Sequence, residues 1–139
     1  MAEEFLSVRV DRRLSEVGRV NDDIAVLWEA RRLPDDPKFD VLLAIEEVLS
    51  NIIRHGGEGP CNEIMLRATL DGNEIEIQLE DDGPAFDPLT HPRPSIDLPL
   101  QQRQPGGLGI HLVQCVMDRV KYERTEGLNR FTMAKRISA

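Results

Sequence analysis

The stretch Ile64-Met65-Leu66-Arg67-Ala68-Thr69-Leu70-Asp71-Gly72-Asn73-Glu74-Ile75-Glu76-Ile77-Gln78-Leu79 decides the fold. Ile64, Leu66, Ala68 and Leu70 alternate with more polar residues, Asp71-Gly72 is a type I′ turn signal, and Ile75, Ile77 and Leu79 resume the alternation. The stretch therefore predicts a β-hairpin with one buried face. Upstream, Leu6, Val8 and Val10 alternate in the same way and predict a first strand. From Leu14 the apolar residues Val17, Val20, Ile24, Leu27 and Trp28 recur at helical spacing, and Trp28 reads as a core anchor. Leu33-Pro34-Asp35-Asp36-Pro37 breaks that helix, with Asp36 and Pro37 as N-cap and first-turn residue of the next. Leu42, Ile45, Leu49 and Ile52 give the second helix its apolar face, and Gly56-Gly57 ends it.

Downstream, six of the nine prolines fall between Pro84 and Pro105 with no apolar period, which predicts a long loop, a class that in compact domains usually serves function or stays disordered. Gly106-Gly107-Leu108-Gly109 then opens a short helix through Ile110, Leu112, Val113, Val116 and Met117. Val120 and Tyr122, a turn at Gly127, and Phe131, Met133 and Ile137 predict a second hairpin. The order strand, helix, helix, hairpin, loop, helix, hairpin reads as an α+β two-layer sandwich, with helices on one face of a mainly antiparallel sheet. Seven acids and no base lie between Asp71 and Asp87, whereas the segment 118–139 has six bases and three acids, so adjacent strands could pair these charges.

At 139 residues the chain predicts a single domain. A net charge of −8 and a pI near 4.9 disfavour phosphate backbones and anionic lipid as general partners. No apolar run approaches a membrane span, and Met1-Ala2-Glu3-Glu4 begins no signal peptide, so the expected location is cytoplasmic. Cys61 and Cys115 lack partners at ligand spacing and read as reduced, structural thiols.

Three constellations could carry chemistry. Glu47, Asn51 and His55 are spaced i, i+4, i+8 on the second helix, on a face opposite its apolar stripe, which alone is the pattern of a solvated flank. In Glu80-Asp81-Asp82-Gly83-Pro84-Ala85-Phe86-Asp87-Pro88 the alternation from Leu79 puts Asp81 on the core side of its strand. A carboxylate there is costly unless a donor meets it, either a turn it caps or an amino group from a ligand. Gly106-Gly107-Leu108-Gly109 at a helix start lets backbone N–H groups approach an anion favoured by the helix dipole. That run is neither a Walker A sequence nor a dinucleotide fingerprint.

Taken in order, these three resemble the nucleotide-binding boxes of the GHKL ATPase superfamily. Glu46-Glu47-Val48-Leu49-Ser50-Asn51-Ile52-Ile53-Arg54-His55 looks like its N box, Asp81-x-Gly83-x-x-Phe86-Asp87-Pro88 its first glycine box, and Gly106-Gly107-Leu108-Gly109-Ile110-His111-Leu112-Val113 its second. Ala85 stands where a second glycine is common, and Pro105 where a G-x-G-x-G lid end would begin. A short lid at about 87–105 and Met117-Asp118-x-Val120-x-Tyr122 make the chain similar to RsbW/SpoIIAB-type anti-sigma factors.

The resemblance implies the Bergerat fold and an ATP- and Mg²⁺-dependent serine-protein kinase. Such a kinase phosphorylates a STAS-type anti-anti-sigma protein and, in a second complex, sequesters a sigma factor. It implies Glu47 as catalytic base, Asn51 as the Mg²⁺ ligand, Asp81 as acceptor of the adenine amino group and Gly83 as the space beside the ring. The N–H groups of Gly107, Leu108, Gly109 and Ile110 would cradle phosphate. Arg103, the one cation late in the lid, is a candidate for the terminal phosphate. Dimer-forming relatives suggest a homodimer. The alternative is a non-catalytic nucleotide-binding module acting by sequestration alone, against which the intact Glu47 and Asn51 argue. His55, His111 and Cys115 are expected to be structural.

Overall fold

A computed structural model describes residues 2–55, 63–90 and 107–137. Its order is β1 (Ala2–Val10), α1 (Ser15–Ala30), α2 (Asp35–His55), β2 (Ile64–Asp71), β3 (Glu74–Asp81), a 3₁₀ turn (Pro88–Thr90), α3 (Gly107–Val116), β4 (Arg119–Thr125) and β5 (Leu128–Arg136). All strand pairs are antiparallel, in the spatial order β1-β2-β3-β5-β4. The three helices pack against this five-stranded sheet, the α+β arrangement expected from the alternation of periods. Trp28, Ile24, Ile45 and Leu49 from the helices meet Leu66, Ile77, Leu79 and Met133 from the sheet, all of them fully buried. Each such side chain contributes about 1.5–3 kcal/mol relative to exposure. Lining up the hairpin's apolar residues on one face thus accounts for the central layer.

Details of the turns and ends differ from the sequence reading, each for a physical reason. The first hairpin turns on Gly72 and Asn73, not Asp71 and Gly72, because Asp71 still pairs with Glu74. Only Gly72 has positive φ (60°), the pattern of a type II′ turn with glycine at the first central position. The second hairpin has positive φ at both Glu126 (53°) and Gly127 (79°), as a type I′ turn requires. In β1 the register shifts between Glu4 and Leu6, which turns Phe5 into the core and leaves Leu6 and Val8 half-buried. Leu14 precedes α1 and is exposed instead of joining the stripe. Helix α2 begins at Asp35, so Asp36 and Pro37 lie in its first turn, where a missing N–H costs nothing. The residues 56–62, with Gly56, Gly57 and Cys61, lie outside the described residues.

The charge asymmetry resolves into pairs across the strands. Glu74 meets Arg119 at 2.6 Å, and Glu80 lies between Arg67 at 2.6 Å and Arg130 at 3.3 Å on the open face of the sheet. The exposed Glu74–Arg119 pair stabilises by no more than about 1 kcal/mol, while the half-buried pairs of Glu80 also fix register.

Helix α1 ends in a Schellman arrangement. The Leu33 N–H donates to the Trp28 carbonyl at 3.2 Å and the Arg32 N–H to Glu29 at 3.0 Å, with Arg32 left-handed at φ 53°. A side chain in that conformation costs about 1 kcal/mol that glycine avoids. Arg32→Gly is therefore expected to raise stability by about 0.5–1 kcal/mol in urea unfolding. A loss of stability would show that the exposed Arg32 side chain contributes more than its backbone strain costs.

Candidate functional site

The second helix, which packs on α3, carries Asn51 as a buried residue. Asn51 is 1% exposed, and among the described residues neither its amide nitrogen nor its amide oxygen has a hydrogen-bond partner. The face opposite the apolar stripe is thus no solvated flank. The sequence of α2 alone could not show it, because burial is set by tertiary packing. An unpaired buried amide costs about 1–3 kcal/mol, so a partner from outside the described residues would stabilise it.

One turn earlier on that face, Glu47 is half-buried while Glu46 points to solvent. The Glu47 carboxylate lies directly against the backbone of Gly109. A Cβ there would stand 1.9 Å from Glu47 Oε2 and 2.8 Å from its Cδ, so only glycine admits this approach. Gly107, Leu108, Gly109 and Ile110 are the first four residues of α3, and the first four N–H groups of any helix have no partner within it. The glycines thus bring a positive helix end and a carboxylate of α2 into one place. Arg12 braces α2 from behind, donating to the carbonyls of Ile52 at 3.3 Å and Ile53 at 3.4 Å near the helix's negative end.

The other half of the site stands at the end of β3. Asp81 is 5% exposed, on the core side of its strand as the alternation required. Burial pushes its carboxyl above the ordinary aspartate value. A hydrogen bond from Asn129, the charge of Arg12 and the Gly83 N–H oppose that rise, while Asp82 adds to it. Asn129 faces Asp81 across β3 and β5 and is itself buried. Together with Ile52, Leu79, Phe86, Tyr122 and Phe131 these two line a narrow cleft, apolar apart from its polar end. Gly83 is buried where the chain leaves β3, and the Arg124 guanidinium holds its carbonyl at 2.7 Å.

Asn129 and Arg12 are absent from the residues the sequence singles out. Asn129 could have been found, as the lone polar residue in the core-facing alternation of Phe131 and Met133. Arg12 sits in a connection with no pattern, and only tertiary contact reveals it. Arg103 and Pro105 lie outside the described residues, as does the loop 91–106. The loop's first residues are packed, not free: Asp87 accepts a hydrogen bond from the Leu89 N–H at 2.9 Å, and Leu89 packs on the core. Cys115 is a free thiol and exposed, with its Sγ 3.9 Å from His111 Nε2. The His55 side chain is not among those described. No three His, Cys, Asp or Glu side chains among the described residues form a metal cluster. No described helix is long and apolar enough to cross a membrane.

The sequence profile of the histidine kinase-like ATPase domain matches residues 10–135, from the end of β1 almost to the end of β5. The chain belongs to this family. The ATPase domain is 31% identical over 109 residues to the serine/threonine-protein kinase BtrW of Bordetella bronchiseptica, covering 76% of this chain and 72% of that protein. It is 30% identical over 93 residues to the serine-protein kinase RsbW of Bacillus thuringiensis, and 27% identical over 88 residues to the anti-sigma F factor of a Thermoanaerobacter species. Those alignments span 58% and 62% of the relatives' own lengths. Protein-serine kinase, the enzyme class expected from the sequence, is the class these named kinases carry. Among solved structures, the RsbU and RsbW domains of Rv1364c from Mycobacterium tuberculosis superpose with a TM-score of 0.70 at 15% identity, over 96% of this chain and 32% of that one. The histidine kinase AdeS of Acinetobacter baumannii gives 0.51 at 13% identity, over 96% and 68%. At such identities the likeness concerns the fold.

Proposed function

We propose that this chain binds ATP with Mg²⁺ and transfers the γ-phosphoryl group to a serine of a STAS-type anti-anti-sigma protein, sequestering a sigma factor in its other complex. The observation that carries the reading is the buried amide of Asn51, unpartnered among the described residues, beside a carboxylate packed on the glycine-lined start of α3. The relatives named as serine-protein kinases and anti-sigma F factor support the partner class.

In this reading the adenine ring enters the cleft beneath Tyr122 and Phe86, its amino group donating to Asp81 and its edge passing Gly83. The N–H groups of Gly107, Leu108, Gly109 and Ile110 hold phosphate oxygens, with Arg103 reaching the terminal phosphate. The Asn51 oxygen is a fit ligand for Mg²⁺, a hard ion that takes oxygen donors while keeping waters and phosphates. When bound, the ion offsets phosphate charge and holds the terminal phosphates in line. Glu47 accepts the proton of the incoming serine hydroxyl as its oxygen bonds to the γ-phosphorus. The bond from that phosphorus to the β-phosphate oxygen breaks, and ADP leaves. The acidic surface suits protein partners over nucleic acid, and we place the protein in the cytoplasm as a homodimer.

An affinity capture from native extract with and without ATP, followed by labelled-phosphate transfer to each captured protein, tests the proposal. The expected result is one partner that gains phosphoserine and a second, a sigma factor, whose capture depends on nucleotide. Nucleotide binding without transfer to any captured partner would replace the kinase with the sequestering module.

A further inference from the structure

We infer that Asn129 is the positioning residue that aims the Asp81 carboxylate and thereby makes the cleft select a 6-amino purine over a 6-oxo purine. This rests on the adenine reading of the cleft and deepens it.

The Asn129 amide has its orientation fixed from both ends. Its oxygen accepts the Phe86 N–H at 3.3 Å and the Tyr122 hydroxyl from the neighbouring strand β4. A flipped amide would set N–H against N–H at Phe86, so the NH₂ must point the other way. There it donates to the Pro84 carbonyl at 2.9 Å and to Asp81 Oδ2 at 3.3 Å, with the Gly83 carbonyl at 3.5 Å. One side chain therefore ties the 83–86 turn to β5 and pins the carboxylate.

An ionised carboxylate has about four acceptor positions. Asn129 and the Gly83 N–H use two of them, which leaves two for a group bound in the cleft that Asp81 lines. An acceptor there suits the amino group at C6 of adenine and opposes the carbonyl oxygen at C6 of guanine. Once protonated, Asp81 could donate to that carbonyl, and the discrimination would fade.

The groups that face Asp81 show why Asn129 matters to its charge. Burial among Ile52, Leu79 and Phe131 favours the neutral acid, and Asp82 adds to that. Against them stand the Asn129 NH₂ from β5, the Gly83 N–H and the Arg12 guanidinium, with Arg124 of β4 engaged at the Gly83 carbonyl and the Tyr122 hydroxyl at Asn129. Of the groups opposing burial, the Asn129 bond acts most strongly. Without it the carboxyl titrates at higher pH and loses its fixed rotamer.

The test measures ADP and GDP affinities by calorimetry between pH 5.5 and 9, for the wild-type chain and Asn129→Ala. In parallel, ¹³C NMR follows the Asp81 carboxyl titration without nucleotide. Asn129→Ala is expected to lower the ADP preference about tenfold at pH 7, with recovery as pH rises, and to move the carboxyl midpoint upward. Should that variant not fold, Asn129→Leu removes the donor at nearly the same side-chain volume without adding a charge, and the same shift is expected. An equal loss of ADP and GDP affinity at every pH would reduce Asn129 to structural support and overturn the proposal, as would an unmoved midpoint. A wild-type chain that bound neither nucleotide would instead overturn the adenine reading, and the nucleotide-free titration would still decide whether Asn129 governs Asp81.

Discussion

Transfer of phosphate to the partner serine is expected to fall about 10²- to 10⁴-fold in Glu47→Ala, while nucleotide affinity stays near that of the wild type. General-base assistance is lost with the carboxylate, but the adenine end and the helix-start N–H groups remain. Glu46→Ala should transfer at nearly the wild-type rate, because Glu46 is exposed and lies about 100° around the helix from its neighbour. Gly109→Ala supplies an independent route to the same defect. Its Cβ would occupy space now filled by Glu47 Oε2, and the flexible tip of that side chain can swing away at little cost in stability. The expected variant is as stable as the wild type, binds nucleotide through Asp81, and transfers slowly. Combining it with Glu47→Ala should add little, since both remove one function. Transfer of labelled phosphate to the captured partner checks all four. A Glu47→Ala chain as fast as the wild type beside a dead Glu46→Ala would move the base by one residue, and full activity in Gly109→Ala would detach the carboxylate from the reaction.

Legibility in the sequence followed how local each determinant is. The hairpins, the Trp28 stripe and the core-side placement of Asp81 depend on period-2 and period-3.6 patterns within a dozen residues, and the structure has them where the patterns lie. Turn details failed where one residue of register decided them, as at Gly72-Asn73. The burial of Asn51 is tertiary, and the close approach of Glu47 depends on a glycine 62 positions away, so α2 read alone looks like a wet flank. Motif resemblance bridged that gap by bringing the boxes together before any contact was known. It could not supply Asn129 or Arg12, whose roles arise from cross-strand register and from the connection after β1.

Asp81→Asn is expected to weaken ATP by one to two decades while leaving the nucleotide-free fold at least as stable at neutral pH. A charged, buried hydrogen bond is worth about 1.5–3 kcal/mol, and the new amide can also turn a donor toward the adenine amino group. Stability moves the other way for a reason visible in the titration. Burial raises the Asp81 carboxyl above its ordinary value of 3.8, so between that value and the raised one the folded chain holds more protons than the unfolded chain. Its stability therefore declines as pH rises through that window, and above the window the full cost of the buried charge is present. The amide has no such cost, and its oxygen can still accept from Asn129. The variant's advantage in thermal unfolding should thus be present at pH 7, shrink as pH falls through the window, and vanish below the ordinary aspartate value. A carboxylate held against the preference of the free fold is what the adenine reading requires. If Asp81→Asn instead bound ATP normally and unfolded earlier at pH 7, the carboxylate would be a structural cap of the 83–86 turn, and the base would have to be read elsewhere in the cleft.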